Sequence, residues 1–213
     1  MLKSLCRFSL RGIALLWLSA FCLSAFLPAQ AAPDSAKNDA TTPAYTADGR
    51  LLFPANYREW IYLTTGMDMD YNPDPAMAGH SMFDNVFVNP EAYKSFVATG
   101  TWPDKTMLVL EGRMATGKGS INKAGHYQTS EVMSASVHVK DKSRFGGAGW
   151  AFFGFDRAKP AKQIPTSAPC YSCHEQHAAV DTTFVQFYPT LIGIAKQKKT
   201  LSAGYLKEEA AAK

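Results

Sequence analysis

The stretch APCYSCHEQH, residues 168–177, constrains this chain more than any other part of it. It places two thiols three residues apart, Cys170 and Cys173, with an imidazole, His174, directly after the second. Cys-x-x-Cys-His is the attachment signature of c-type haem. Residues three apart on a helix share a face, so both thiols can meet neighbouring vinyl groups of one porphyrin. Each S–H adds across a vinyl double bond, sulfur to one carbon and hydrogen to the other, which leaves a thioether. His174 then falls beneath the iron as its proximal ligand. The single motif predicts one haem c, covalently attached near the C-terminus.

Three other readings compete. A disulfide between Cys170 and Cys173 would give His174 no task. A thioredoxin-like redox pair calls for a βαβ context. A zinc site built from Cys170, Cys173 and His177 has suitable ligand types, but lacks a second ligand pair at zinc spacing. A spread disulfide framework is not on offer, because the other cysteines, Cys6 and Cys22, lie in the apolar N-terminus. Haem is the reading that employs all three motif residues.

Lys3, Arg7 and Arg11 precede an apolar run, Gly12 to Leu27, and Ala29-Gln30-Ala31 follows it. That is the layout of a signal peptide over residues 1–31, with cleavage expected near Ala31–Ala32. The run is shorter than the roughly 20 residues that span a bilayer. The expected product is therefore exported, or periplasmic, with no membrane span after cleavage. The segment holds three of the 22 basic residues, which leaves 19 against 18 acidic ones. A balance so near neutral, with no basic stripe interleaved with aromatics, argues against a nucleic-acid partner.

Residues 32–50 are polar and rich in Pro, Ala and Thr, the composition of a flexible linker. The haem domain is expected over 51–200. Within it, 58–66, 81–88, 106–114, 131–141 and 149–155 read as strands, the last as a central one because it is apolar on both faces. Residues 67–80 read as a loop, and the Gly-rich 115–128 as a hairpin connection. Asn89-Pro90-Glu91, with Gly100 ten residues past the proline, brackets a helix. From Cys173 to Lys199 the chain reads as helix, with Phe184, Phe187, Tyr188, Leu191 and Ile192 on one face and Pro189 kinking or splitting it. Residues 201–213 are helix-prone but expected to fray. The sum is an α+β fold, a single domain built on a mainly antiparallel β-sheet with a few flanking helices.

What stands opposite His174 decides function. His177 is on the wrong side to reach the far face of a ring held by His174. No methionine follows the motif, unlike small electron-transfer cytochromes with an early motif and a late Met ligand. His80, His126, His138 and the seven methionines after Met1 are the upstream candidates for a sixth ligand. An open, five-coordinate iron is the favoured expectation.

Taken in order, NYREW (56–60), VNPEAYKSFVATG (88–100), the strand before Glu111, GWAFFGF (149–155), CYSCH (170–174) and FVQFYPTL (184–191) resemble the cytochrome P-460 family, which includes the cytochromes c′-beta. The resemblance spans most of residues 50–195. It implies a mainly antiparallel sheet, a homodimer, and a five-coordinate haem c held by Cys170, Cys173 and His174. Members that oxidise hydroxylamine and pass electrons to a soluble c-type cytochrome carry a lysine linked to the haem edge, on the strand just before a glutamate. That position here is Leu110, which has no amine. The resemblance therefore points to the c′-beta type, which binds NO or CO in an apolar pocket. Leu110 would form part of the distal wall, with Phe87 or Phe83 as a cap.

Overall fold

A computed structural model describes residues 41–69, 80–119 and 121–212 of the chain. The expected signal peptide and most of the 67–80 loop lie outside them. Six strands, β1 (Ile61–Met67), β2 (Met82–Val88), β3 (Met107–Thr116), β4 (Tyr127–Gln128), β5 (Ser134–Lys140) and β6 (Trp150–Phe155), form one antiparallel sheet. Its order is β1-β2-β3-β5-β6, with β4 folded back on the end of β3. Four helices accompany it: α1 (Pro90–Thr99), α2 (Pro169–His177), α3 (Ile192–Lys198) and α4 (Ala203–Ala211). The fold is α+β, as the alternation of the strands implied.

Side chains alternate across each strand, so the sheet sorts its residues onto two cores. Leu63, Val86, Val88, Leu108 and Trp150 face a helical layer, packing with Phe96 of α1, Trp102, Val185, Tyr188 and Leu191. Met107, Val109, Val137, Val139, Ala151 and Phe153 face the other way, under Leu51, Tyr57 and Trp60. Each fully buried side chain of this size contributes about 1.5–3 kcal/mol of transfer free energy.

The strand GWAFFGF is not central. It is β6, the last strand in the order, next to β5 alone. Its two apolar faces reflect burial on both sides of the sheet, since Trp150 joins one core and Ala151, Phe153 and Phe155 the other. Its outer edge is covered by the returning chain, where Ile164 N–H donates to Phe152 O at 2.8 Å and Phe153 bridges Gln163. A covered edge has no unpaired backbone to template aggregation.

Asn89 does more than open α1. Its side chain makes no capping bond to the helix. Instead Oδ1 accepts from Met107 N–H at 2.8 Å and Nδ2 donates to Thr41 O at 2.9 Å, fastening the helix start to β3 and to the lead-in segment. Gly100 closes the helix at φ 78°, its N–H donating to Phe96 O at 2.7 Å. A Cβ there would lie 2.7 Å from Lys198 Cβ. Gly100→Ala therefore meets both a left-handed backbone and a clash, and a loss of about 1–2 kcal/mol is expected in chemical denaturation.

Both ends of the domain differ from expectation. Backbone pairing begins before residue 51, since Tyr45 bridges Leu51 and packs beside the second core. At the other end α4 is anchored. Ser202 Oγ accepts from Tyr205 N–H at 3.1 Å as a helix cap, and Leu201 and Tyr205 pack against the first core. The stretch from Cys173 to Lys199 is not one helix. α2 ends at His177, Ala178 to Val180 run buried, a 3-10 turn covers Val185–Phe187, and α3 starts beyond Pro189. Tyr188 and Leu191 remain in the core, whereas Phe187 is exposed.

Candidate functional site

Pro169 starts α2 in the position where its missing N–H costs nothing, and Ala168 before it is extended. Tyr171, between the cysteines, fixes the helix against the edge of β6. Its hydroxyl donates to Ile164 O at 3.0 Å and accepts from Phe152 N–H at 3.2 Å. Cys170 and Cys173 are both free thiols, half-buried. Burial, followed by the negative charge of Cys170 and Glu208, raises the Cys173 thiol above its usual pKa.

His174 Nδ1 lies 2.8 Å from Thr182 O. A carbonyl can only accept, so Nδ1 carries the proton and Nε2 the lone pair, the tautomer of a ligand that binds metal through Nε2. The ring stands edge-on to Phe184 at 4.4 Å, Phe152 at 4.6 Å and His138 at 5.2 Å. Burial lowers its pKa, and the Thr182 bond opposes this only in part, which favours the neutral imidazole.

His138 projects from β5 on the same side. It stacks on Phe152 at 3.9 Å and its Nε2 lies 3.3 Å from Thr182 Oγ1. Burial, then the neighbouring His174, holds it well below the usual histidine range. Because it meets Thr182, the partner of His174 Nδ1, it stands behind His174 rather than across from Nε2. The other candidates are elsewhere: His80 and His126 are exposed, and His177 pairs with Glu208 of α4. Among the described residues no group of three or more His, Cys, Asp or Glu is arranged to hold a metal ion.

Strand register defines what lies beside His138. Leu108 pairs His138, and one row on Leu110 faces Val86 and Ser136, with Gly154 beyond. The following row holds Asp84, Gly112 and Ser134. The helical layer buries Leu108 but leaves Leu110 36% and Gly154 also exposed, so this half of the face carries Leu110, Gly154, Ser136 and Ser134, with the Asp84 carboxylate in the outer row. Leu110 thus shares the sheet face of His138, which touches His174. Phe87 does not. It pairs Val109 on the opposite face, edge-on to Tyr57 at 5.5 Å, so it cannot cap a pocket walled by Leu110. Phe83 has the same parity, opposite Arg113.

Glu111 also turns away from Leu110. It is 2% exposed and accepts hydrogen bonds from Tyr57, Arg58, Arg113 and Asn85. Burial alone would raise its pKa, but the bonds from Arg113, Tyr57 and Arg58 outweigh it and hold the carboxylate at about 2. NYREW is therefore a clamp: Tyr57 and Arg58 grip Glu111 while Trp60 joins the core. This network lies across the sheet from the motif and supports the strand that carries Leu110.

Two thiols and a tautomer-fixed imidazole, on a helix held against a sheet whose face leaves Leu110 and Gly154 exposed, are a donor set that fits a haem. The antiparallel sheet sets the chain apart from helical bundles with the same motif. Residues 54–185 match the family described as Cytochrome P460, and the chain belongs to that family. Membership implies a haem cofactor. No curated protein matches the chain.

Proposed function

We propose that this is an exported protein with one haem c, joined by thioethers to Cys170 and Cys173 and ligated by His174 Nε2, and that it binds small nitrogen-oxide ligands, nitric oxide first, at a five-coordinate iron. When bound, the haem supplies an iron centre able to take a diatomic ligand. Cys170 and Cys173 fix the macrocycle by two bonds, and Tyr171 keeps their helix against the sheet. Thr182 holds the His174 ring and its tautomer. Leu110 and Gly154 offer an exposed apolar surface, with the Asp84 carboxylate one row further out.

The observation that carries the choice of ligand is Leu110, an aliphatic side chain on the sheet face that reaches His174 through His138. A hydroxylamine-oxidising enzyme of this family calls for a lysine there. On the β5 part of this face the lysine is Lys140, and it is committed elsewhere. Its Nζ donates to Trp102 O at 2.8 Å and pairs with Asp181 at 3.0 Å. Enzymatic hydroxylamine oxidation, with a soluble c-type cytochrome as acceptor, is the alternative, and a six-coordinate electron carrier the second. The positive N-terminus, apolar run and small-residue site support export. A homodimer is part of the proposal, measurable by light scattering.

Adding NO to the reduced protein tests the reading. A stoichiometric ferrous nitrosyl spectrum, with no steady turnover of hydroxylamine against an added acceptor, is the expected result. Sustained hydroxylamine oxidation together with a lysine–haem link in the intact mass would replace it with the enzymatic alternative.

A further inference from the structure

The tight turn Val180–Thr183 presents the carbonyl that grips His174, and the side chains of three of its residues are tied down. Val180 and Thr183 bridge each other, with Asp181 in the left-handed region at φ 52°. Asp181 pairs with Lys140 at 3.0 Å. Thr182 Oγ1 meets His138 Nε2 at 3.3 Å. Thr183 Oγ1 accepts from Trp102 Nε1 at 2.7 Å and donates to Val180 O at 2.8 Å. His138 and Lys140 are two apart on β5, so the pleat points both at the turn. His138 is itself fixed, stacked on Phe152 and tilted against Trp150 at 4.3 Å.

We infer that His138 is a positioning residue for the axial ligand: through the Thr182 hydroxyl it sets the turn whose carbonyl accepts from His174 Nδ1, and so sets how strongly His174 donates to iron. The physical chain is short. A well-placed acceptor on Nδ1–H adds electron density to the imidazole and makes it a stronger donor through Nε2. A stronger donor favours the ferric state and stiffens the iron–histidine bond. If Thr182 loses its hydroxyl partner, the turn relaxes, the Nδ1 bond lengthens and the donor weakens. Neither His138 nor Thr182 touches the iron in this scheme. The inference rests on His174 being the iron ligand, and failure of that reading would show earlier, as haem-loaded wild-type protein with no ferrous iron–histidine stretch.

The test compares four haem-loaded variants with wild type: His138→Phe, His138→Gln, Thr182→Val and the double His138→Phe/Thr182→Val. Phenylalanine keeps the stacking on Phe152 and loses the bond to Thr182. Glutamine loses the stacking and can restore a polar atom to Thr182. Valine removes the hydroxyl but keeps the carbonyl and the shape. The readouts are the ferrous iron–histidine stretching frequency by resonance Raman and the reduction potential. The expected pattern is a lower stretch and a raised potential for His138→Phe and Thr182→Val, recovery toward wild type in His138→Gln, and no added effect in the double variant. Unchanged spectra in Thr182→Val, additive shifts in the double, or a glutamine variant shifted as far as phenylalanine would overturn the inference. Should a His138 variant fail to fold, Thr182→Val alone decides it.

Discussion

Cys170→Ala combined with Cys173→Ala is expected to eliminate covalently bound haem, so that denaturing electrophoresis shows no haem-stained band where wild type shows one. Each single substitution should keep one thioether and remain stained. The loss would report chemistry rather than unfolding. Both cysteines are only half-buried, and no residue of α2 belongs to the buried core. Alanine is also the better helix former by a few tenths of a kcal/mol. Tyr171 remains to hold α2 on Ile164 and Phe152. Far-ultraviolet circular dichroism should therefore be retained in the double variant. A thioether-bound pigment surviving the double substitution would contradict the attachment.

The second large effect is on stability and lies across the sheet. Glu111→Ala strips the partner from Arg113, whose side chain is 13% exposed, and from the buried Tyr57. Removing one member of such a buried set is expected to cost about 3–5 kcal/mol in urea or guanidinium denaturation. Arg58, with its side chain 53% exposed, should cost at most about 1 kcal/mol when truncated. The contrast separates a buried anchor from an exposed arm. The carboxylate also gives an acid limb. Its pKa is about 2 folded against 4.5 for the ordinary side chain, so its contribution is complete above 4.5 and falls away as pH drops toward 2. The difference amounts to about 3 kcal/mol at most. In Glu111→Gln the limb should flatten, and an unchanged acid profile would place the charge balance elsewhere.

What could be read from the chain follows physical lines. The motif stands out because its three residue types sit at a fixed spacing, whereas Leu110 was singled out only by the family resemblance, and strand pairing then puts it on the sheet face of His138. Phe87 was misread through parity: strand pairing, invisible in one sequence, puts it opposite Val109 and on the far side from Leu110. The two apolar faces of Trp150–Phe155 signal burial on both sides and carry no information about position in the sheet. Thr182 was missed because its carbonyl does the work, and every residue has one. His138 could be flagged only as a spare imidazole, since its partner lies 44 residues away. The α4 helix had its signals in plain view, a Ser202 cap and Tyr205 as the apolar tie, outweighed in the reading by the polar tail after them.

The account depends on one macrocycle stitched to α2, with His174 on one side of the iron and nothing from the protein on the other. The absorption spectrum of the reduced protein tests that most directly. A broad, high-spin, five-coordinate signature in the native protein, with the haem staying on the chain when a separate sample is extracted with acidified organic solvent, is the predicted result. Sharp low-spin bands would put a protein ligand on the open side, and a colourless preparation with two titratable thiols would remove the haem altogether.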